Sequence, residues 1–215
     1  GAAIPLSATK LDQLASCHFS HFLRYGLDAK PRERARFQAT DYGTFVHFIL
    51  ETVLRRAMEQ PDGLARLAED EDLRRAEADR AAGQYIEESL RGLDEEGGRF
   101  RYLFGRMRRA ADQVVDNAVA ELAASDFRPA AFELAFGRHG DLPEVTAENG
   151  VTVRLSGKVD RVDTWLHDGK RYLRVVDYKT GKKAFDYTDL QNGLGLQMLL
   201  YLCALEREGQ RLFGP

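Results

Sequence analysis

The chain has 215 residues, of which 44% are hydrophobic and 30% are charged, a composition typical of a folded domain and unlike that of a disordered segment. Its formal net charge of −3 gives no overall sign of nucleic-acid binding. No apolar run approaches the roughly 20 residues that cross a bilayer, and two cysteines are too few for a disulfide framework. We therefore expect a cytoplasmic protein with no membrane partner. Because the sequence starts without methionine and without a signal-peptide pattern, we also expect a segment of a longer protein.

The first half of the chain is predicted to be helical. Ser7 is a suitable N-cap for a helix over Ala8–Tyr25, and a second helix is predicted from about Asp41 to Glu59. The charged, alanine-rich region Pro61–Gly98 predicts one or two exposed helices, which we interpret as an insertion or lid, and a long helix over about Phe100–Ala124 follows. The apolar positions expected to face the core are Leu11, Leu14, Phe19, Phe22 and Leu23 in the first helix, Phe45, Ile49, Val53 and Ala57 in the second, and Leu103, Met107, Ala111, Val114, Ala118 and Leu122 in the long one.

The second half changes from helical periodicity to twofold alternation, which is typical of strands. A final amphipathic helix is predicted over Thr188–Glu206, with Cys203 as an inert core residue. We find no repeat or linker that would divide the chain, so residues 1–215 are predicted to form one α/β domain. Its mixed central sheet would contain an antiparallel hairpin and be flanked by helices. The predicted strands are Ala130–Phe136, Val151–Leu155, Lys158–Leu166 and Arg171–Lys179, and the last helix is expected to bury Leu196, Leu199, Leu200 and Leu202.

The dipeptide Asp168-Gly169 favours a two-residue type I′ turn between the last two strands. If these residues form the turn, Leu166 faces Arg171, and the same register places Asp160 opposite Asp177. The opposite face of the hairpin then gains two favourable cross-strand pairs, Trp165 with Tyr172 and Asp163 with Arg174.

The predicted register brings two acidic side chains together. Asp160 and Asp177 would lie ~4.5–5.5 Å apart at Cβ, and two such carboxylates repel unless a proton or a cation lies between them. Oxygen ligands of this kind suit Mg²⁺ or Mn²⁺. Lys179 would project from the same face, where an amine can orient water or stabilise charge in a transition state. The alternative interpretation is a solvent-exposed strand face with a salt-bridged lysine.

Several motifs together resemble one nuclease family. They are Gly157–Asp163 (GKVDRVD), Asp177–Gly181 (DYKTG), the pair Gln197 and Tyr201, and the helical segment Gly43–His47. This set resembles the RecB-like branch of the PD-(D/E)xK nucleases. The resemblance covers nearly all of the chain except the Pro61–Gly98 region. It implies a restriction-endonuclease-like core and a metal-dependent deoxyribonuclease that uses Mg²⁺ or Mn²⁺.

The segment Leu6–Leu27 is similar to the start of one subset of that branch, the C-terminal nuclease domains of AddB-type helicase–nuclease proteins. The resemblance implies an AddA-type helicase–nuclease partner, single-stranded DNA as substrate, and a role in double-strand-break processing and recombinational repair. In that subset a cysteine at the position of Cys17 binds an iron–sulfur cluster together with three later cysteines. Because no such cysteine group follows here, we expect no cluster in this fragment, and Cys17 as a cluster ligand only in the full-length protein.

The resemblance also implies a role for each site residue. Asp160 and Asp177 resemble the metal-binding carboxylates, Lys179 the catalytic lysine, and His47 an additional metal ligand. The remaining implied site residues are the backbone carbonyl of Tyr178 as a metal ligand, and Gln197 and Tyr201 near the lysine and the DNA backbone. Glu133 lies between Phe132 and Leu134 on a strand expected to flank the hairpin, so it is a further candidate metal ligand. On pattern alone, a histidine such as His47 is more often a packed or exposed helix residue than a metal ligand, and Gln197 and Tyr201 read as polar residues at the edge of the core.

Two rival functions remain open at this point. One is a stand-alone nuclease of the kind that serves CRISPR spacer acquisition. The other is a DNA-binding or assembly module that has the fold without the chemistry.

Overall fold

The computed structural model describes residues 3–30, 39–89, 98–137, 145–146, 148–179 and 186–214. These residues form two compact units. The sheet unit contains the described residues within Gly1–Ala35, Ala130–Asp177 and Gly181–Pro215, and the helical unit contains those within Arg36–Pro129 and Tyr178–Thr180. Among the described residues, no helix has the length and apolar character that a membrane crossing requires.

The helical unit is built from α3 (Ala39–Met58), α4 (Gly63–Glu69), α5 (Glu71–Ser89) and α6 (Gly98–Ala123). The two long helices predicted from apolar periodicity, α3 and α6, are confirmed to within two residues at each end. The unit's core is made largely of apolar side chains that are buried in α3 and α6: Phe45, Ile49, Leu50, Val53, Leu54, Met107, Ala111, Val115, Val119 and Leu122.

The prediction that Pro61–Gly98 forms exposed helices is wrong about the exposure. Helix α5 buries a face formed by Ala78, Ala81, Ala82 and Tyr85. Alanine has too little apolar surface to mark a buried face in the sequence, yet its small side chain lets helices pack closely. A Cβ on Gly63, where α4 begins, would lie 2.1 Å from the carbonyl oxygen of Ala57 in α3, so only glycine fits there.

The sheet unit is organised around one long strand, β4 (Thr152–His167). This strand joins two segments that were predicted separately. Its first half pairs in parallel with β1 (Ile4–Ser7) and antiparallel with β3 (Val145–Thr146), and its second half pairs antiparallel with β5 (Lys170–Val176). The remaining strand, β2 (Arg128–Phe136), also neighbours β4. The predicted α/β fold with a mixed sheet and an antiparallel hairpin is therefore confirmed.

The register of the β4–β5 hairpin is the one that the turn dipeptide predicts. Leu166 pairs with Arg171, Trp165 with Tyr172 and Asp163 with Arg174. The rings of Trp165 and Tyr172 lie 5.2 Å apart, and the Asp163 carboxylate forms an ion pair with Arg174 at 2.7 Å.

The N-terminal helical segment differs from its prediction. Instead of one helix there are α1 (Ala8–Ser16), α2 (His18–His21) and a π-helix over Phe22–Gly26. Cys17 separates the first two with an extended backbone, at φ −160° and ψ 105°. This break interrupts the periodicity on which the burial prediction rested, and Leu14, Phe19 and Phe22 are exposed to 38%, 68% and 54%.

The C-terminal helix is also divided, into α7 (Tyr187–Gln191) and α8 (Gln197–Phe213). Gly193 and Gly195 lie between them at φ +78° and +67°, in the left-handed region that ends helices. The face of α8 that packs on the sheet is formed by Tyr201, Ala204 and Leu205. Three predictions for this helix are wrong. Leu199, Leu202 and Cys203 were expected to be buried, and all three are exposed.

Candidate metal centre

The predicted catalytic carboxylates lie where the β4–β5 ladder ends. Its last pair is Arg161 with Val176, and Asp160 and Asp177 are the next residues on the two sides of the hairpin. Because β5 ends at Val176 and does not continue to Lys179, strand alternation no longer determines the directions of Asp177 and Lys179. The facing of Asp160 and Asp177 stays a prediction.

The acidic residue that the structure places beside Asp160 is Glu133. Carboxylate oxygens of Glu133 and Asp160 lie within 4.8 Å of each other. An octahedral Mg²⁺ binds oxygens at about 2.1 Å, so two oxygens that share the ion are about 3–4.2 Å apart. The two side chains therefore need only a small adjustment to bind one ion, and a pair of carboxylate oxygens is the donor type that Mg²⁺ and Mn²⁺ prefer.

The backbone at Glu133 is unusual for a strand. Glu133 lies in β2 at φ +52°, in the left-handed region that residues other than glycine rarely adopt. Such conformations cost of order 1–3 kcal/mol and concentrate at functional sites, where they redirect a side chain. The alternation of Phe132, Leu134 and Phe136 in the sequence gives no sign of this backbone.

A lysine provides positive charge beside the acidic pair. The ammonium group of Lys158 forms a close ion pair with the Glu133 carboxylate, although the lysine side chain is 58% exposed. Sequence reasoning assigned Lys158 no role. In this structure its ammonium offsets part of the negative charge of Glu133.

Asp177 is held by the first residue of α8. The Gln197 side-chain amide donates from Nε2 to Oδ1 of Asp177 at 2.9 Å and to the hydroxyl oxygen of Tyr201 at 2.8 Å. Tyr201 is buried and packs edge-on against Phe136, with the ring centroids 5.5 Å apart. Gln197 and Tyr201 thus share a helix face, as their spacing predicts, and hold one predicted metal ligand.

Gly157, in β4, leaves the space that the rings of Phe136 and Tyr201 occupy. A Cβ at this residue would lie 2.6 Å from the ring of Phe136 and 2.9 Å from the ring of Tyr201. The two rings therefore pack directly on the backbone of β4, three residues before Asp160. Any larger residue at 157 would displace Tyr201 and, through Gln197, Asp177.

Within the helical unit, α3 contributes His47. Its Nε2 lies 2.9 Å from the backbone carbonyl oxygen of Tyr178, and the rings of these two residues pack edge-on. This spacing is that of a hydrogen bond, which Nε2–H donates to the carbonyl oxygen. Both atoms were predicted as metal ligands, and that role stays a prediction.

The remaining predicted site residues are Lys179 and Cys17. Lys179 is exposed. Cys17 is exposed too, and its Sγ accepts a hydrogen bond from the backbone nitrogen of Ser20, at 3.5 Å, at the start of α2. Its role as a cluster ligand stays a prediction. The motif residues Thr180 and Gly181 lie outside the described residues.

Comparison with known proteins agrees with the fold and with the motifs. A family model described as the PD-(D/E)XK nuclease superfamily matches residues 5–214. The chain is also similar to proteins whose shared name describes one subunit of an "ATP-dependent helicase/deoxyribonuclease". The one from Desulforudis audaxviator is 36% identical over 220 residues, which cover 100% of this chain and 18% of that protein. Those from Caldanaerobacter subterraneus and Clostridium tetani are 32% and 29% identical over 95% and 97% of this chain, again 18% of each relative.

The chain thus spans less than a fifth of the length of these relatives. The family match, by contrast, extends over almost every residue and includes the strand with Asp160, the segment with Asp177 and the helix with Gln197. The chain belongs to the PD-(D/E)XK nuclease superfamily.

Proposed function

We propose that this chain is a divalent-metal-dependent deoxyribonuclease domain that hydrolyses DNA phosphodiester bonds with Mg²⁺ or Mn²⁺. The observation that carries the proposal is the approach of the Glu133 carboxylate of β2 to the Asp160 carboxylate of β4, within 4.8 Å, in a chain that the nuclease family model matches over residues 5–214. Acidic groups this close favour a cation between them.

The proposed metal ligands are the carboxylates of Glu133, Asp160 and Asp177, His47, and the backbone carbonyl of Tyr178. When bound, a divalent ion polarises a phosphoryl oxygen and lowers the pKa of water. Glu133 and Asp160 supply the negative charge that binds the ion. Gln197 donates from its amide to Asp177 and so fixes the orientation of this carboxylate.

Lys179 is the proposed catalytic lysine. From an exposed position it can approach a phosphate, orient the attacking water or stabilise the negative charge that develops on the phosphoryl oxygens. Tyr201 acts through Gln197, because its hydroxyl binds the same amide nitrogen that binds Asp177.

For the whole protein we propose membership of an AddAB-type helicase–nuclease complex. The relatives' shared name, which joins an ATP-dependent helicase to a deoxyribonuclease, supports this assignment. An AddA-type partner would deliver single-stranded DNA to this domain during double-strand-break processing and recombinational repair. We place the protein in the cytoplasm with its DNA substrate. In the full-length protein Cys17 would bind an iron–sulfur cluster.

The test is cleavage of end-labelled single-stranded DNA by the wild-type chain and by Lys179→Ala, with Mg²⁺ or with EDTA. We expect cleavage that requires the metal and falls by roughly a hundredfold or more in Lys179→Ala, because transition-state charge loses a stabilising group. Lys170→Ala is the matched control, since it removes the same charge from an exposed residue at the hairpin turn. Equal cleavage by the wild type and Lys179→Ala would overturn the mechanism, and binding of DNA without cleavage by any protein would indicate an assembly module.

A further inference from the structure

A buried charge network lies beside Asp160 along β4. The side chains of Arg161 and Asp163 are both 0% exposed. Arg161 donates from Nε to Oδ1 of Asp163 at 2.7 Å and from Nη2 to Oδ2 at 2.9 Å. This two-bond contact fixes the orientation of both side chains on one strand.

The network continues across the hairpin. Arg174 of β5, which faces Asp163 in the ladder, donates from Nε and Nη2 to Oδ2 of Asp163 at 2.9 and 2.7 Å. The single carboxylate thus accepts four N–H groups from two guanidinium groups, one on each strand. We call these three side chains the Asp163 clamp.

A gain in folding stability does not by itself explain these buried charges. Removing charges from water is costly, and well-packed apolar side chains of similar volume are often as stable as a buried ion pair or more so. Two guanidinium groups and one carboxylate also give the clamp itself a net positive charge. What the bonds do supply is a fixed relative position of β4 and β5.

The clamp acts where position matters most for the site. The ladder's last pair is Arg161 with Val176, and the residues that follow on each side are Asp160 and Asp177. Among the described residues, no further pair of this ladder aligns the two carboxylates beyond that point. Any slip or spreading of the strand ends would therefore change the separation of Asp160 from Asp177 directly.

We propose that the Asp163 clamp positions Asp160 and Asp177 for metal binding, with Arg174 as the residue that links the two strands. The proposal rests on the proposed function, since it takes Asp160 and Asp177 to be metal ligands. Asp163, Arg161 and Arg174 are positioning residues, and they act through the strand ends. Without Arg174 the Arg161–Asp163 pair stays balanced in charge and the backbone ladder remains, but the side-chain link between β4 and β5 near the end of that ladder is lost.

The test is titration of Mn²⁺ into the purified protein by calorimetry, comparing Arg174→Gln with the wild type. Positioning predicts that Arg174→Gln binds Mn²⁺ about tenfold more weakly, as outer-shell substitutions at metal sites do. A purely electrostatic role predicts the opposite sign, because losing a positive charge favours a cation. Arg171→Gln is the matched control: it removes the same charge from β5 at a residue that pairs with Leu166, on the other face of the hairpin.

Arg174→Lys separates geometry from charge and serves if Arg174→Gln folds poorly, as judged by circular dichroism. Lysine retains the charge but cannot make both guanidinium contacts, so we expect binding a few-fold weaker than in the wild type. Unchanged or tighter Mn²⁺ binding in both variants would overturn the inference while the proposed function stands. Equal Mn²⁺ binding by the wild type and Asp160→Asn would instead overturn the proposed function, and the inference with it.

Discussion

The two units of this chain use their buried positions differently. Among the described residues of the helical unit, the fully buried side chains are apolar, such as Phe45, Ile49 and Leu54, and the ion pairs are partly exposed. In the sheet unit Arg161 and Asp163 are fully buried.

The sheet unit also has a strained backbone near its acidic pair, because Glu133 adopts a left-handed conformation. Buried charge and backbone strain both cost folding free energy, so they persist where they serve a purpose other than stability. The comparison indicates that the helical unit's interior is selected mainly for packing and the sheet unit's for the position of charged groups. Four predictions test this difference between the two units.

The largest effect is expected for Asp160→Asn. Loss of a metal-binding carboxylate should lower the DNA cleavage rate by roughly a thousandfold, since metal-ion catalysis contributes several kcal/mol and each 1.36 kcal/mol is tenfold in rate. The metal-free protein should be as stable as the wild type or more so, because repulsion with Glu133 is removed. The same change at Asp189, an exposed residue of α7, should leave cleavage unaltered. Rapid cleavage by Asp160→Asn would show that Asp160 is not a site residue.

Next in size is a cavity in the helical unit. Leu54 is 0% exposed in α3, so Leu54→Ala should lower the free energy of unfolding by about 2–5 kcal/mol, from lost burial and the cavity left behind. Urea denaturation measures this loss. Met58→Ala, at a partly exposed position at the end of the same helix, should cost much less. A loss well below about 2 kcal/mol in Leu54→Ala would show that the helical unit's interior depends little on tight packing.

A smaller difference in stability is expected between two substitutions at Glu133. Because glycine adopts positive φ without strain, Glu133→Gly should be more stable than Glu133→Ala by about 1 kcal/mol. Both variants lose the carboxylate and the ion pair with Lys158, so their difference in urea denaturation isolates the backbone strain. Both should cleave DNA far more slowly than the wild type. Equal stability of the two would mean that the strand carries no strain at this residue.

The smallest effect is the pH dependence of the helical unit. Burial raises the pKa of Asp116, but hydrogen bonds from Arg75 and Arg74, together with their charges, outweigh it and hold this pKa below its usual value. Because the folded pKa is depressed, the stabilisation is present above the unfolded value of about 4 and is lost as the pH falls through the folded pKa. Unfolding free energies measured from pH 6 down to pH 3 should decline less steeply in Asp116→Asn than in the wild type. Parallel declines would show that this ion pair contributes nothing.

The parts of the fold that sequence reasoning predicted correctly have signals that agree with one another. The β4–β5 register follows from Asp168-Gly169 and from two favourable cross-strand pairs. Helices α3 and α6 follow from apolar stripes repeated over several turns.

The errors arise where local backbone geometry or small residues decide the structure. Cys17 and the glycines before α8 interrupt helices that apolar spacing alone would continue. Strand β1 has four residues, one of them proline, which is too short for an alternation to be recognised.

The candidate site was predicted unevenly for the same reason. Motif spacing pointed to Asp160, Asp177, Gln197 and Tyr201, and the hydrogen bonds of Gln197 agree with its helical spacing to Tyr201. Glu133 was a candidate from its place on a flanking strand, but its left-handed backbone was not predicted, and the addition of Arg161 to the Asp163–Arg174 pair depends on which side chains are buried. Neither property is expressed in a pattern of residue types.

The most direct test of a metal centre at Asp160 is a crystal soaked in Mn²⁺, with the ion located by anomalous scattering. We predict one strong peak at about 2.1–2.2 Å from carboxylate oxygens of both Asp160 and Glu133, and no such peak in Asp160→Asn crystals soaked alike. A wild-type crystal in which Mn²⁺ binds elsewhere, with Asp160 contacting no ion, would contradict the account.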